Sequence, residues 1–199
     1  MKHTGPLWGI WKIEESSEVL LSLLRNREEY LPQLELIRAE QRRREWLACR
    51  VLLQELTGGP ACIAYRPNGA PYLSGSSLHI SISHTKGYAA VLLQNRPAAG
   101  IEYQSGRVSK IRSRFMNPEE EAGIDKEHET EHLLLHWCAK ETLFKMIGQE
   151  EVDFLHHLHV RPFPYAEEGS FTVYETRTEE GAVYRLDYLV TPDFVLTRS

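Results

Sequence analysis

The sequence has few cysteines, no long apolar run and no low-complexity segment. Its three cysteines, Cys49, Cys62 and Cys138, are odd in number and widely spaced. That pattern argues against a disulfide framework or a cysteine-ligated zinc site, and it favours a reducing compartment. Because no run of about eighteen apolar residues occurs, the sequence predicts no membrane-spanning helix.

An excess of one charge is lacking as well. The net charge is −5 at pH 7 and the isoelectric point is near 6.0, which gives no argument for binding nucleic acid or an anionic membrane. Residues 1–14 contain no basic start, no long apolar core and no small-residue cleavage site. We therefore expect a cytoplasmic protein.

The apolar periodicity predicts a chain that mixes helices and strands. Of its 199 residues, 42% are hydrophobic and 26% are charged, which suffices for the core of one large domain or two small ones. Helical periodicity covers residues 16–25, 34–56, 108–115 and 129–146, with a further helix start at 117–121. Strand-like patterns cover residues 7–13, 63–65, 77–83, 88–93, a segment beginning near 100, 158–163, 170–174 and 183–195.

The helix predicted at 129–146 carries the most informative motif. Trp137, Glu141 and Lys145 are four residues apart, so they lie along one side of the helix. Lys140 adds a second ammonium group next to Glu141. A carboxylate flanked by two ammonium groups suits a divalent cation and the phosphates bound to it. Taken alone, the motif is also an ordinary way to stabilise an exposed helix.

Two upstream segments favour the functional interpretation. They are Ser83-His84 at the end of a predicted strand and the acidic strand at 98–102. Together with the helix motif, they resemble the 4′-phosphopantetheinyl transferase superfamily, in its long, monomeric type made of two similar halves. The resemblance covers nearly the whole chain, including an arginine-rich first helix and an Asn-Gly-x-Pro-Tyr-Leu element at 68–73.

This resemblance implies a fold, a division of the chain and a reaction. The fold would be α+β, with two similar α/β halves related by a pseudo-twofold axis. The halves would be residues 1–99 and 100–199, and the ligand crevice would lie between them. The reaction would move the 4′-phosphopantetheine arm of coenzyme A onto a serine of an acyl or peptidyl carrier protein. One chain is expected to suffice, so we expect a monomer.

The acidic strand departs from the family's Gly-Ile-Asp-Ile-Glu pattern, and two registers are open. In the first, Glu102 replaces the Asp and Gln104 replaces the second acid. In the second, Glu102 is the second acid and Gly100 occupies the Asp position. The family's Arg-Phe pair lies about a dozen residues after the second acid, and Arg114 lies twelve after Glu102. That spacing favours the second register, and with it a metal site that lacks one acid and an activity that is reduced or lost.

The roles of the second-half residues follow from the resemblance. Glu102 and Glu141 would hold Mg²⁺, or alternatively Mn²⁺, against the pyrophosphate of coenzyme A. Lys145 would contact the phosphate that is attacked, and Lys140 would contact the coenzyme. Glu141 or a water bound to the metal ion would accept the serine proton.

The resemblance also implies coenzyme contacts in the first half. Ser83 and His84 would face a phosphate, and Arg44 would meet the 3′-phosphate of the nucleotide. His84 can instead bond a neighbouring backbone carbonyl, and Arg44 can belong to a solvated helix face. A local concentration of arginines suits coenzyme A, with its several phosphate charges: Arg38, Arg42, Arg43, Arg44 and Arg50.

Two other functions remain open from the sequence. A degenerate homologue would bind coenzyme A or a carrier protein without transfer, and two departures motivate it: Gly100 in the acidic strand and Ala70, where relatives usually carry lysine. A zinc peptidase is suggested by His128, Glu129 and His132, which match His-Glu-x-x-His, with His136 one turn further on. The polar flanks of that pattern favour an exposed helix face instead. A further histidine group, at 156, 157 and 159, predicts at most adventitious metal binding.

Overall fold

The computed structural model describes residues 7–95 and 98–199. The chain divides into two compact units, and the division falls between residues 97 and 98. Each unit combines helices with antiparallel strands, which confirms the α+β class expected from the sequence. No helix in this described part of the chain is long and apolar enough to cross a membrane.

The first unit packs a long helix against a small antiparallel sheet. Its described elements are β1 (Leu7–Lys12), α1 (Ser17–Leu23), α2 (Leu31–Glu35), α3 (Glu40–Thr57), β2 (Ile63–Tyr65), β3 (Pro71–Leu73), β4 (His79–Thr85) and β5 (Tyr88–Gln94). The main sheet has the order β1-β5-β4, and β2 pairs with β3 separately. Leu47, Val51 and Leu53 of α3 are buried in a core that they share with Val91 and Leu93 of β5.

One helix prediction in the first unit is wrong. The sequence predicts a single helix over 34–56, whereas α2 ends at Glu35 and α3 begins at Glu40. The carboxylate of Glu40 accepts from the backbone N–H of Ser17 over 3.1 Å and from its hydroxyl over 3.0 Å. This contact ties the first residue of α3 to the start of α1. Apolar periodicity does not show it, because polar groups carry it.

The second unit packs a nineteen-residue helix across a five-stranded antiparallel sheet. Its elements are β6 (Ala99–Tyr103), α4 (Arg107–Ile111), α5 (Pro118–Ala122), α6 (Glu129–Ile147), β7 (Leu158–Val160), β8 (Glu168–Glu175), β9 (Val183–Val190) and β10 (Phe194–Arg198). The strand order is β6-β10-β9-β8-β7. Leu133, Leu135 and Leu143 of α6 are fully buried against a sheet core that includes Phe171 and Val195.

A turn corrects the long strand that the sequence predicts at 183–195. The Thr191 hydroxyl oxygen accepts from the backbone N–H groups of Asp193 (3.3 Å) and Phe194 (3.0 Å), which closes a tight turn between β9 and β10. Pro192 stands inside this turn and has no N–H to give to a sheet. The alternation of apolar residues continues on both sides of the turn, so the sequence pattern does not reveal the break.

The two units share a strand connectivity. In each, the first strand precedes the long helix and pairs antiparallel with the last strand, β1 with β5 and β6 with β10. In the second unit this pairing sets Ile101 opposite Leu196 and Glu102 opposite Val195. The strand that carries Glu102 is therefore held by β10 at its side and by α6 across its face.

Candidate active site

Three of the sequence-predicted site residues meet where α6 crosses β6. Trp137 and Glu141 lie one turn apart on α6, and the indole Nε1 of Trp137 donates to Oε1 of Glu102 on β6 over 3.4 Å. One turn further along, the Lys145 ammonium donates to the Ala99 carbonyl of β6 over 2.6 Å. The structure thus brings Glu102, Glu141 and Lys145 to one face of the second unit.

The electrostatics of this face centre on Glu141. Burial raises the pKa of the Glu141 carboxyl to about 7; Lys145 opposes that rise, and the neighbouring carboxylate of Glu102 adds to it. A buried carboxyl group whose pKa is raised further by a neighbouring carboxylate is typical of a site that receives a cation. A pKa near neutrality also lets Glu141 accept a proton at physiological pH.

The two carboxylates fit a small divalent cation. Among residues 7–95 and 98–199, no group of three or more histidine, cysteine or acidic side chains is arranged to hold a metal. Mg²⁺ does not need such a group, since it is usually bound by one or two carboxylates with waters and substrate phosphates completing the shell. The raised pKa of Glu141 beside Glu102 shows an acidic pair that a cation would stabilise.

Gly100 is a packing residue, and this finding overturns the register that the sequence favours. A Cβ at this position would lie 2.9 Å from the Cys138 carbonyl oxygen and 3.1 Å from the Thr142 hydroxyl. An aspartate therefore has no room at 100. Gly100-Ile101-Glu102 then matches the family's Gly-Ile-Asp, and Gln104 stands in the place of the second acid. The Gln104 amide donates to the Thr191 carbonyl over 3.2 Å.

Lys140 does not lie where a coenzyme contact would require it. Its side chain is fully buried, and its ammonium donates to Glu120 (2.8 Å), to the Phe115 carbonyl and to the Phe154 carbonyl (3.1 Å). Trp137 and Glu141 face β6, while Lys140 turns inward. The predicted coenzyme contact of Lys140 is therefore wrong. All three N–H donors of its ammonium group are used inside the unit, which is a structural role.

Glu120 is the acid in this buried cluster and also a helix cap. Its Oε2 accepts from the Asn117 backbone N–H (2.9 Å), while the Asn117 side chain accepts from the Glu120 backbone (2.9 Å). This capping box confirms the helix start predicted at 117–121. Its Oε1 accepts from the Val160 backbone N–H on β7 over 2.9 Å. One carboxylate therefore links α5, α6 and β7.

In the first unit, His84 lies in a polar cluster with α3. His84 Nδ1 is 3.1 Å from Oε2 of Glu45, and its Nε2 contacts the guanidinium of Arg42. Gln41 donates to Oε1 of Glu45 over 2.6 Å. Ser83, which precedes His84 on β4, is buried and stands opposite Ala90 of β5. The arginine beside His84 is thus Arg42, which the sequence interpretation did not single out within the run at 42–44.

Arg44 has a different position from the one expected. Its guanidinium donates to the backbone carbonyls of Ile13 and Glu15, each over 2.7 Å. These bonds fasten α3 to the segment that follows β1. Arg42 and Arg44 are two residues apart, which places them on different faces of the helix. A run of three arginines cannot show which of them faces β4.

Arg50, which the sequence analysis names only as one of a group of arginines, has an environment of its own. It is 2% exposed, its guanidinium carbon lies 3.2 Å from the Trp46 ring centroid, and Nη1 donates to the Trp46 carbonyl over 2.9 Å. Burial lowers its pKa. Among the described residues no acid forms an ion pair with Arg50, and its Nε has no hydrogen-bond partner. The Trp46 ring and carbonyl, with the Tyr65 hydroxyl at 3.5 Å, hold this guanidinium inside the first unit.

The His-Glu-x-x-His pattern does not assemble a zinc site. The Asp125 side chain holds His128 at 3.2 Å, and the Glu129 carboxylate pairs with Arg112 at 2.9 Å. His132 is buried, and its Nδ1 accepts from the Asp125 backbone N–H over 3.1 Å. The three groups are used in separate contacts, so the peptidase interpretation is not supported. The expectation of an exposed helix face is also wrong for His132, because its side chain is buried against Phe163.

The histidines on this side of α6 form a buried aromatic cluster. His132 and His136 are 1% and 2% exposed, and their rings lie 4.6 and 5.4 Å from the ring of Phe163. His136 Nδ1 lies 2.9 Å from the His132 carbonyl oxygen. The segment that contains Phe163 and Tyr165 joins β7 to β8, and Tyr165 stacks on His128 at 4.2 Å. This cluster packs a loop onto the helix.

We expect the buried histidine pair to make the second unit sensitive to acid. Burial lowers the pKa of both His132 and His136 from 6.5 to about 4. The unfolded chain then binds protons more readily than the folded one, so the stabilisation is complete above pH 6.5 and is lost as the pH falls towards 4. Each unit of pKa difference corresponds to about 1.4 kcal/mol. Urea unfolding at several pH values between 7.5 and 4 measures the loss.

Other groups also titrate between pH 7.5 and 4. The change of unfolding free energy with pH must therefore be compared between matched variants. The variant His136→Leu removes one titrating imidazole, and His156→Leu, at an exposed position in the same unit, serves as the control. A shallower fall in unfolding free energy for His136→Leu alone is the expected result. Equal slopes in both variants and the unaltered protein would contradict the assignment.

Comparison with known proteins identifies a match in the second unit. A family model described as the 4′-phosphopantetheinyl transferase superfamily matches residues 99–197. The matched range runs from β6 to β10 and includes Glu102, Glu141 and Lys145. No curated protein matches the chain. The family resemblance seen in the sequence is confirmed, and the match covers the unit that carries the paired carboxylates.

Proposed function

Since the chain belongs to the 4′-phosphopantetheinyl transferase superfamily, we propose that it transfers the 4′-phosphopantetheine arm of coenzyme A to a serine of an acyl or peptidyl carrier protein. The observation that carries this proposal is the meeting of Glu102, Glu141 and Lys145 where α6 crosses β6. The family is one of phosphopantetheinyl transferases that use coenzyme A and a metal ion. The carrier-protein substrate and the residue roles given below are part of the proposal.

The proposed reaction is a displacement at phosphorus. The serine oxygen of the carrier forms a bond to the phosphate next to the pantetheine arm, and the bond from that phosphorus to the bridging oxygen of the pyrophosphate breaks. The leaving group is 3′,5′-adenosine diphosphate. The serine proton passes to Glu141, the carboxylate that α6 contributes to this face. Lys145, at the exposed end of this face, neutralises charge on the phosphate.

The metal ion in this proposal is Mg²⁺, or Mn²⁺, which accepts the same oxygen ligands. Glu102 and Glu141 would hold it. When bound, it would neutralise charge on the pyrophosphate and help to orient it. Gln104 in place of the second acid leaves two carboxylates, so we expect weaker metal binding than three would give.

The first unit, taken by itself, also carries polar groups suited to a phosphate. His84 and Arg42 form a polar pair at the surface, where Arg42 is half exposed. Ser83 lies beside His84 on β4, whereas Arg44 is engaged with backbone carbonyls. Arginine guanidinium groups suit phosphate because they can donate two parallel hydrogen bonds.

A second candidate function is binding without transfer. Two observations favour it: Gln104 stands in the place of an acid, and Ala70 stands where relatives carry lysine. Such a homologue would hold coenzyme A or a carrier protein through the same fold. Retention of Glu102, Glu141 and Lys145 makes transfer the better-supported function.

The proposal is tested by intact-mass measurement of apo carrier proteins incubated with the protein, coenzyme A and Mg²⁺. A mass increment of one phosphopantetheine on the carrier is the expected result. The variant Glu141→Gln should abolish the increment, because it removes both a metal ligand and the base. Glu131→Gln, on the same helix and away from Glu102, should leave it intact.

Coenzyme A binding separates the two candidate functions. Calorimetry should detect binding to the unaltered protein and weaker binding to Arg42→Ala, with Arg38→Ala as the exposed control from the same region. No increment on fatty acid, polyketide or peptide carriers, together with coenzyme A binding that depends on Arg42, would favour the binding homologue. Absence of both binding and transfer would overturn both functions.

A further inference from the structure

Trp137 links α6 to the carboxylate of Glu102. Its indole Nε1 donates to Glu102 Oε1 over 3.4 Å. The residue stands one turn before Glu141, so the same helix face carries the donor to one acid and the other acid itself. The sequence motif shows that Trp137 belongs to this face, but it does not show what the indole contacts.

The indole ring is clamped by two other aromatic rings. Phe115 meets it edge to face at 5.2 Å, and Phe154 stacks on it at 5.3 Å. The Phe154 carbonyl also accepts from the buried ammonium of Lys140. A ring held on both sides keeps its N–H directed at one point, which is the requirement for a group that positions another.

The approach of the strand to the helix makes this contact possible. Gly100 has no Cβ, and one would lie 2.9 Å from the Cys138 carbonyl. The Thr142 and Thr197 hydroxyls join α6 to β10 at 2.7 Å on the same side. Because β6 and α6 are this close, a side chain from α6 can reach Glu102.

An uncharged hydrogen-bond donor can orient a carboxylate without neutralising its charge, which a cationic donor cannot do. The Glu102 carboxylate and Glu141 raise the local negative charge. An arginine or lysine in place of Trp137 would neutralise part of that charge and compete with a cation for it. An indole N–H orients the carboxylate through a hydrogen bond and leaves its charge in place.

We propose that Trp137 is a positioning residue for the metal-binding carboxylate of Glu102. This inference rests on the proposed function, since it takes Glu102 as a metal ligand. The indole fixes Oε1 and biases Glu102 towards binding a cation through one oxygen. One-oxygen binding suits Mg²⁺, whereas Ca²⁺ commonly takes both oxygens of a carboxylate. Trp137 thereby contributes to metal affinity and to the preference for Mg²⁺ over Ca²⁺.

The test deletes the N–H while it keeps the ring. Site-specific replacement of Trp137 by benzothienylalanine exchanges the N–H for sulfur in a ring of the same size, and Trp137→Phe provides a simpler second variant. Calorimetry measures the affinity for Mg²⁺ and for Ca²⁺ in the absence of coenzyme A, and urea unfolding measures stability. We expect Mg²⁺ affinity to fall by about ten-fold, as for other groups that orient metal ligands. The ratio of Mg²⁺ to Ca²⁺ affinity should fall too.

The outcomes separate positioning from packing. A fall in Mg²⁺ affinity in the benzothienylalanine variant, at unchanged unfolding free energy, supports the inference. Unchanged metal affinity in that variant overturns it, and a loss confined to Trp137→Phe with reduced stability assigns the ring to packing alone. Absence of Mg²⁺ binding by the unaltered protein overturns the inference together with the metal role of Glu102. Transfer that persists while the Trp137 variants bind metal normally overturns the inference and leaves the proposed function intact.

Discussion

The variant Lys140→Met is expected to lower the free energy of unfolding of the second unit by about 3–5 kcal/mol, the usual cost of removing one partner of a buried ion pair. Lys140 is fully buried, and its ammonium donates to the Glu120 carboxylate and to two backbone carbonyls. Methionine fills a similar volume but leaves the Glu120 charge uncompensated and both carbonyls without their donor. Equilibrium unfolding in urea measures the change.

A paired variant distinguishes a buried ion pair from a general loss of packing. In the double variant Lys140→Met with Glu120→Gln, the unpaired charge is removed, so we expect part of the lost stability to return. The exposed Lys126→Met, on the loop before α6, is the matched control. If Lys140→Met were as stable as Lys126→Met but bound coenzyme A less tightly, the original expectation of a coenzyme contact would be correct.

The variant Gly100→Asp is expected to destabilise the second unit and to reduce metal binding. The added Cβ would lie 2.9 Å from the Cys138 carbonyl oxygen, which is a backbone atom that cannot move aside cheaply. Overpacking of this kind typically costs about 1–3 kcal/mol, and a carboxylate pressed against a carbonyl oxygen adds repulsion. Thermal and urea unfolding of Gly100→Asp and Gly100→Ala measure the effect, with Gly106→Ala as the control, since no atom lies within 4 Å of a Cβ there.

An added carboxylate at position 104, in contrast, is expected to strengthen metal binding. If Gln104 stands in the place of the second acid, Gln104→Glu supplies a third carboxylate two residues beyond Glu102, at the bend that follows β6. Metal affinity measured by calorimetry should rise, despite the loss of the amide bond to the Thr191 carbonyl. A gain in metal affinity from Gly100→Asp, with none from Gln104→Glu, would restore the other register.

The acidic face is the side of the second unit where Glu102 of β6 meets Glu141 and Lys145 of α6. Sequence reasoning grouped the residues that α6 contributes to it, because helical spacing alone sets their alignment. Trp137, Glu141 and Lys145 stay in line whatever packs against α6. It failed for Lys140, which belongs to the same motif. The sequence of this 19-residue helix does not show which of its faces is buried. The Lys140 side chain points inward because its ammonium bonds to Glu120, a residue in a different helix. The family pattern drew attention to the motif, but only tertiary contacts assign its two lysines to different tasks.

The register of the acidic strand shows a second limit. Spacing to Arg114 was used to place Gly100 at an acid position, yet spacing across a loop shifts with any insertion. The distance from Gly100 to α6 favours the other register, because the backbone approach leaves no room for a side chain at residue 100. The arginine run at 42–44 is a similar case. Polar partners on β4 and after β1 determine which arginine contacts which segment, and the sequence pattern of the run contains no information about those partners.

The pairing of β6 with β10 has a consequence for the order in which the acidic face is built. Ile101 stands opposite Leu196, so the strand that carries Glu102 takes its neighbour from the far end of the unit. During synthesis, β6 and α6 leave the ribosome well before β10 does. Glu102 therefore lacks its strand partner until most of the unit has been made, and a chain cut short before β10 would carry every acid of the face without the sheet that sets their spacing.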